Sequence, residues 1–379
     1  MPIDKFTSTH LSVLASTGSG KSYTASVLLE EMMQPDSRAA VLIADPHGEY
    51  GSLEQMKEDK RFQGEDGYSP EIEIKRPKDI KVKISELSLS DLFTILDDPS
   101  NAQEQVLAEA WNRLQNNDDD YISLNQLKNM CHQIGEEKEM ESSARALDWR
   151  LNKALNRDLF DNSKNLSLPE LLQPGQCSIL QLDTMSLRDQ QMMMAVLLRK
   201  INKARIDCEK GRANELDFPV FILLEEGHRF APAGGSSRCA GILRTILSEG
   251  RKFGIGIGII SQRPSKIDDD VLSQCRTQII MQLQNPLDQD AVKKSVEDVG
   301  EDLLNELPGL TPGQAIVAGD SVNTPFLVKI RERYTKHQAD SLEATKLWKE
   351  KWELQNRRKT TGVISADDDE GVEDREELL

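Results

Sequence analysis

Residues Leu11–Val27 read LSVLASTGSGKSYTASV, and this stretch decides the fold. An apolar run (Leu11, Val13, Leu14) meets a glycine-rich turn, then Lys21-Ser22, then a segment of helical character. Strand, tight loop and helix N-terminus, in that order, make a cradle for phosphate. Gly18 and Gly20 let backbone N–H groups turn inward, Lys21 brings charge to the β and γ phosphates, and the Ser22 hydroxyl can ligate Mg²⁺. The pattern departs from GxxxxGK[ST] at its first position, where Ala15 replaces glycine. Were that backbone to need a positive φ, alanine would cost about 1 kcal/mol. The stretch reads as a nucleoside triphosphate site for ATP and Mg²⁺, with Thr17, Gly18, Ser19, Gly20, Lys21, Ser22 and Tyr23 around the ligand.

Around this loop lie 379 residues, enough for one large domain or two modest ones. No run of 18 apolar residues and no signal-like start is present, so a soluble, cytoplasmic protein without membrane contact is expected. Five scattered cysteines form no CxxC pair, which argues for reduced structural thiols and against zinc. The formal charge of −17, from 47 basic and 64 acidic residues, makes the surface as a whole repel nucleic acid. A ring that confines its basic groups to a pore escapes that argument, so composition alone is neutral on partners.

Taken outward, the pattern is α/β. The helix after the loop runs to about Met33, and a second strand, Ala39–Ala44, breaks into Asp45-Pro46-His47-Gly48-Glu49-Tyr50. Acidic and glycine residues at a strand's carboxyl end are where such sheets place ligand groups. A strand pair is expected around Glu71–Lys75 and Lys81–Ile84. From Leu87 to Phe160 the apolar period turns helical, with Ser123 a candidate cap, and reads as an insertion into the core. Strands follow at 177–182, 218–224, 254–260 and 277–283, with a long helix at 187–209 and a terminal hairpin from 315–318 and 326–330. Gly250 is the expected terminator of the helix through Ile242 and Leu247. The glycines of GIGIGII predict a backbone or helix packed closely against that strand. The division is therefore a core of 1–86 and 161–336, an insertion of 87–160, a C-terminal helix of 337–356 and an acidic tail of 357–379, expected to be disordered.

An apolar strand ending in Glu225-Glu226, some distance after a phosphate loop, supplies what hydrolysis needs. Glu225 would complete the Mg²⁺ shell, one methylene longer than the Asp common there, and Glu226 would polarise the attacking water. Gln262 ends the next strand, where an amide can sense the γ-phosphate. Arg251 has two readings: an arginine finger reaching a neighbouring subunit, or an ordinary arginine favoured by a helix C-terminus.

The blocks ASTGSGKS, ADPHGEY, FILLEEGHRFAP, SEGRKFGIGIGIISQRPS and LSQCRTQIIMQL together resemble the HerA family over residues 8–335. These are hexameric DNA-translocating ATPases related to the FtsK motors. The resemblance implies a RecA-like P-loop NTPase core with a mainly parallel sheet. It places Lys21 and Ser22 in Walker A, Glu225 and Glu226 in Walker B, Gln262 at the sensor position and Arg251 as a finger acting in trans. Asp45 matches an acidic position near the site. It implies double-stranded DNA as partner, a homohexameric ring, work in DNA-end processing and repair, and a NurA-type nuclease beside it. Family members usually carry an N-terminal β-barrel, and this chain begins ten residues before its first strand, so the barrel is expected to be absent. Gly227 stands where the family commonly has alanine. The pore-loop candidates for DNA contact are Arg238, in the loop 231–238, and Arg263 and Lys266. Two other readings remain: a DNA pump of the conjugation or packaging type, and a nucleotide-gated scaffold that moves no DNA.

Overall fold

A computed structural model describes residues 5, 9–96, 99–116, 122–157, 159–161, 167–212, 215–235, 237–296, 299–336, 348–349 and 351–353. Residues 1–336 form one compact unit and 337–379 a second.

The first unit is built on a nine-stranded sheet. Its strands are β1 (Leu11–Leu14), β2 (Ala40–Asp45), β3 (Glu71–Lys75), β4 (Gln176–Gln181), β5 (Val220–Leu224), β6 (Ile255–Ser261), β7 (Thr277–Ile280), β8 (Gln314–Gly319) and β9 (Phe326–Lys329). Their spatial order is β3-β4-β2-β5-β6-β1-β7-β8-β9. The seven strands from β3 to β7 in that order run parallel, and β7, β8 and β9 pair antiparallel. The α/β class, the mainly parallel sheet and the closing hairpin are as the sequence predicts. Strands β1, β2 and β5 are buried along their whole lengths, which is why they read as unbroken apolar runs.

One face of the sheet carries α1 (Lys21–Met32), whose Ala25, Leu29 and Met32 pack with Val41, Ile43, Phe221 and Leu223. The other face is covered by the helices α2 (Leu89–Ile95), α3 (Asn101–Gln115), α4 (Leu124–Glu137), α5 (Glu141–Leu155), α6 (Leu187–Glu209) and α7 (Arg238–Glu249). Trp111, Leu127, Leu147 and Leu151 join the same apolar cluster as Leu42, Met193 and Ile257, so α3–α5 share the sheet's core. Full burial of each such side chain contributes roughly 1.5–3 kcal/mol. The start of α4 is fixed by Ser123, whose Oγ accepts the Gln126 N–H at 3.1 Å while Gln126 Oε1 accepts the Ser123 N–H at 2.7 Å.

Two local expectations give way. Residues 81–84 form no strand with β3: β3 pairs with β4, and Val82 makes only an isolated bridge to Phe160. Gly250 does follow the last residue of α7, as expected, but it keeps a right-handed conformation and leads into a 3-10 turn closed by Gly254, with φ +67°. The strand β6 is not narrowed for a helix or backbone at Gly258. A Cβ there would meet Leu223 Cδ1 at 2.6 Å and Phe221 Cζ at 2.7 Å, both side chains of β5.

After β9 the chain returns to α1. Glu30, fully buried, accepts the N–H groups of Tyr334 at 3.0 Å and Thr335 at 2.9 Å and pairs with Arg331 at 2.7 Å. In the second unit, 348–349 and 351–353 are helical, with Trp348 and Trp352 exposed. The rest of the expected C-terminal helix and the whole acidic tail lie outside the described residues. Among the described residues, no helix is long and apolar enough to cross a membrane.

Candidate functional site: a phosphate loop facing two glutamates

The loop between β1 and α1 is set by its glycines. Gly18 has φ +80° and Gly20, the residue preceding α1, φ +96°. No side chain caps that helix end, which leaves its N–H groups directed at the mouth of the loop. Ser16 N–H donates to the Gln282 carbonyl at 2.8 Å and fastens the loop to the chain after β7. Among the described residues the non-glycines with positive φ are His10, Arg38, Glu139 and Glu226, so Ala15 carries no such strain. The departure from the glycine pattern costs nothing there.

The sheet order brings the remaining groups to this loop. Strand β6 lies between β1 and β5, so the residue that follows it falls between the phosphate loop and the end of β5. That residue is Gln262. Its Oε1 accepts the Thr17 hydroxyl at 2.5 Å and its Nε2 donates to Glu226 Oε1 at 2.6 Å. Lys21 Nζ donates to Glu225 Oε1 and, at 2.8 Å, to Glu226 Oε1.

Glu226 reaches this position because the backbone turns sharply at the end of β5. Its φ of +52° and ψ of +53° are left-handed, a conformation that costs a non-glycine on the order of 1–2 kcal/mol. The next residue has no room for a side chain, because a Cβ on Gly227 would run into Ile259 Cγ2. Gly227 is thus required by its neighbour on β6, whatever stands there in relatives.

Two buried carboxylates share one buried ammonium. Glu225 is fully buried and Glu226 is 3% exposed. Burial raises the Glu225 pKa to about 7 despite Lys21 and the hydrogen bond from Tyr50. Burial also opposes ionisation of Glu226, but His228, whose Nδ1 lies 3.2 Å from Oε2, and Lys21 outweigh it and hold its pKa at about 2. Burial disfavours the Lys21 cation, and the two glutamates more than compensate, raising its pKa. One carboxylate is firmly ionised and the other is poised near neutrality.

The residues suit a hard divalent cation. Ser22 and Glu225 supply hard oxygen atoms, and the two buried carboxylates exceed their single ammonium in charge. Among the described residues, no group of three or more His, Cys, Asp or Glu could hold a metal unaided. Mg²⁺ keeps water and substrate phosphate in its shell, so Ser22 and Glu225 are the residues that would hold it.

Other candidates fall elsewhere. Asp45 is buried beneath the turn after β2, where it accepts N–H bonds from His47 (3.2 Å), Gly48 (2.8 Å) and Tyr50 (3.2 Å). Tyr23 turns to the C-terminal segment, its hydroxyl accepting the Arg333 N–H at 2.7 Å. Arg251 sits in the 3-10 turn before β6, at the opposite edge of the sheet from Gln262. Seven residues of strand, roughly 20 Å, separate it from its own phosphate loop. Arg263 and Lys266 are exposed, on a segment lying against the loop 231–235 through a Pro232–Ile267 bridge and an Ala233 N–H to Lys266 carbonyl bond of 2.8 Å. Arg238 opens α7.

Sequence reasoning missed Glu49 and Tyr50. Glu49 Oε2 accepts the Ser22 hydroxyl, and Tyr50, fully buried, donates its hydroxyl to Glu225 Oε2 at 2.6 Å. A signal was present: a carboxylate and a phenol in the loop following an apolar strand. Their target depends on β2 lying beside β5, which no local pattern contains.

The family model described as "Helicase HerA, central domain" matches residues 1–201. The DNA double-strand break repair helicase HerA of Pyrococcus furiosus is 27% identical over 87% of this chain and 66% of its own length. The probable helicase MJ1565 of Methanocaldococcus jannaschii is 29% identical over 95% of the chain and 69% of its own length. The chain thus spans about two thirds of the curated relatives it matches. Among solved structures, VirB4 of Thermoanaerobacter pseudethanolicus superposes with a TM-score of 0.61 at 15% identity, over 86% of this chain and 90% of that one. The bacterial conjugative coupling protein TrwB gives 0.58 at 12%, over 88% of each chain. These likenesses establish a shared fold. With a family model matched over more than half of its residues, the chain belongs to the HerA helicase family.

Proposed function

We propose that this chain hydrolyses ATP and couples hydrolysis to movement along double-stranded DNA as a homohexameric ring. The carrying observation is the convergence of Lys21, Glu225, Glu226 and Gln262 on the phosphate loop. The N–H groups around Gly18 and Gly20 bind the polyphosphate, and Lys21 leaves the glutamates for the β and γ phosphates. Ser22 and Glu225 hold Mg²⁺, which when bound neutralises phosphate charge. Glu226, ionised and turned into the site by its left-handed backbone, accepts hydrogen from the attacking water. Gln262 spans Thr17 and Glu226 and so links the γ-phosphate position to the base.

Arg251 cannot serve its own site, and a neighbour in a ring is where it acts as a finger. The paired loops bearing Arg263 and Lys266, with Arg238 at the start of α7, lie at the strand ends that carry the nucleotide site, and are the proposed DNA contacts. Repair of DNA ends, and partnership with a NurA-type nuclease, come to this chain from the relatives' names and the family resemblance. Steady-state ATPase with and without linear double-stranded DNA tests the reading. Stimulation supports the motor, and turnover indifferent to DNA favours a nucleotide-gated scaffold.

A further inference from the structure

Glu49 and Tyr50 are adjacent in sequence, yet their side chains meet two different limbs of the site. Glu49 accepts the proton of the Ser22 hydroxyl, and Tyr50 donates to Glu225 Oε2 at 2.6 Å. The turn that presents them is held from within: buried Asp45 accepts three of its backbone N–H groups. The two contacts have opposite polarity, and each suits its target. A serine hydroxyl has one proton and two lone pairs, so giving the proton to Glu49 leaves the lone pairs for a cation. A buried carboxylate needs a donor to remain ionised, and Tyr50 supplies one to Glu225 on the oxygen that Lys21 does not use.

We infer that the Asp45–Tyr50 turn supports the Mg²⁺ site, with Glu49 and Tyr50 as positioning residues that orient Ser22 and Glu225. This inference rests on the nucleotide reading above. Groups that orient metal ligands from behind commonly change metal affinity about 10–100-fold when removed. Asp45 is then the keystone of the turn, acting through the backbone N–H groups it accepts.

The test uses the full chain, AMPPNP, and Mn²⁺ in place of Mg²⁺. Free Mn²⁺ is read by electron paramagnetic resonance, and metal-free nucleotide affinity is measured separately in EDTA. Glu49→Ala and Tyr50→Phe should each weaken Mn²⁺ uptake by the nucleotide complex about 10–100-fold, with the EDTA affinity within about twofold of wild type. Glu49→Gln, which keeps a neutral acceptor, should recover part of the loss. Wild-type uptake matched by all three variants would overturn the inference alone. So would a fall in EDTA affinity as large as the fall in metal affinity, because that reports a collapsed loop. A wild-type chain that takes up no Mn²⁺–nucleotide would overturn the nucleotide reading and this inference with it.

Discussion

Acidification should destabilise this protein through His10, and His10→Asn should remove that part of the response. His10 is buried, its backbone is left-handed (φ +51°), and its Nδ1 accepts the Ile257 N–H at 3.1 Å. Burial, with Arg251 and Arg276 nearby, lowers its pKa to about 4, while the Leu247 carbonyl pulls the other way. The unfolded chain takes the proton near 6.5, so stability is complete above that pH and declines as pH falls toward 4. Each tenfold difference in proton affinity is worth about 1.4 kcal/mol, making the full penalty about 3 kcal/mol and roughly 2 kcal/mol at pH 5. Asparagine tolerates the left-handed region and places an amide oxygen where Nδ1 accepts, but it carries no titrating proton. Urea unfolding of the nucleotide-free protein at pH 7 and pH 5 is the assay. Glu225, with its pKa raised to about 7, gains stability on acidification, but equally in both proteins. Wild type should therefore lose about 2 kcal/mol more than His10→Asn between the two pH values. Equal losses would refute the assignment of a neutral buried histidine to this edge.

Gly227→Ala should destabilise by about 1–3 kcal/mol in urea unfolding, because its Cβ overlaps Ile259 Cγ2, and part of that cost should vanish when combined with Ile259→Ala. Simple additivity of the two changes would show that the turn after β5 has room to spare. Arg251→Ala and Glu226→Gln should each abolish turnover alone, yet mixtures should regain activity, because a mixed ring contains interfaces with an intact Glu226 and a neighbour's intact Arg251. Inactive mixtures, with mixed rings verified by mass, would place Arg251 outside catalysis. Gln262→Ala should slow single-turnover hydrolysis more than it weakens nucleotide binding, since it removes the bridge from Thr17 to Glu226.

Much of the site was readable because its parts are local. The phosphate loop needs only a strand, two glycines and Lys21-Ser22 in order, and the carboxylates Glu225 and Glu226 terminate an apolar run. Buried parallel strands and helix caps such as Ser123 likewise declare themselves within a few residues. What stayed hidden depends on strand order or side-chain reach. Gln262 bridges Thr17 and Glu226 only because β6 lies between β1 and β5. Glu49 and Tyr50 become site residues only because β2 adjoins β5. Tyr23 follows Ser22 directly, yet its hydroxyl reaches Arg333, 310 residues away. Gly250 ends α7 as its position in the sequence suggests, whereas the 3-10 turn that follows, with Gly254 left-handed at its close, leaves no local pattern to read.

In the proposed function Glu226 drives ATP hydrolysis coupled to DNA, and the decisive measurement is steady-state ATPase of wild type and Glu226→Gln, with and without linear double-stranded DNA at low salt. DNA should stimulate the wild type, and the variant should lose about 10²–10⁴-fold in turnover with nucleotide binding retained. Wild-type turnover unmoved by DNA, or a Glu226→Gln protein that hydrolyses ATP as well as wild type, would contradict it.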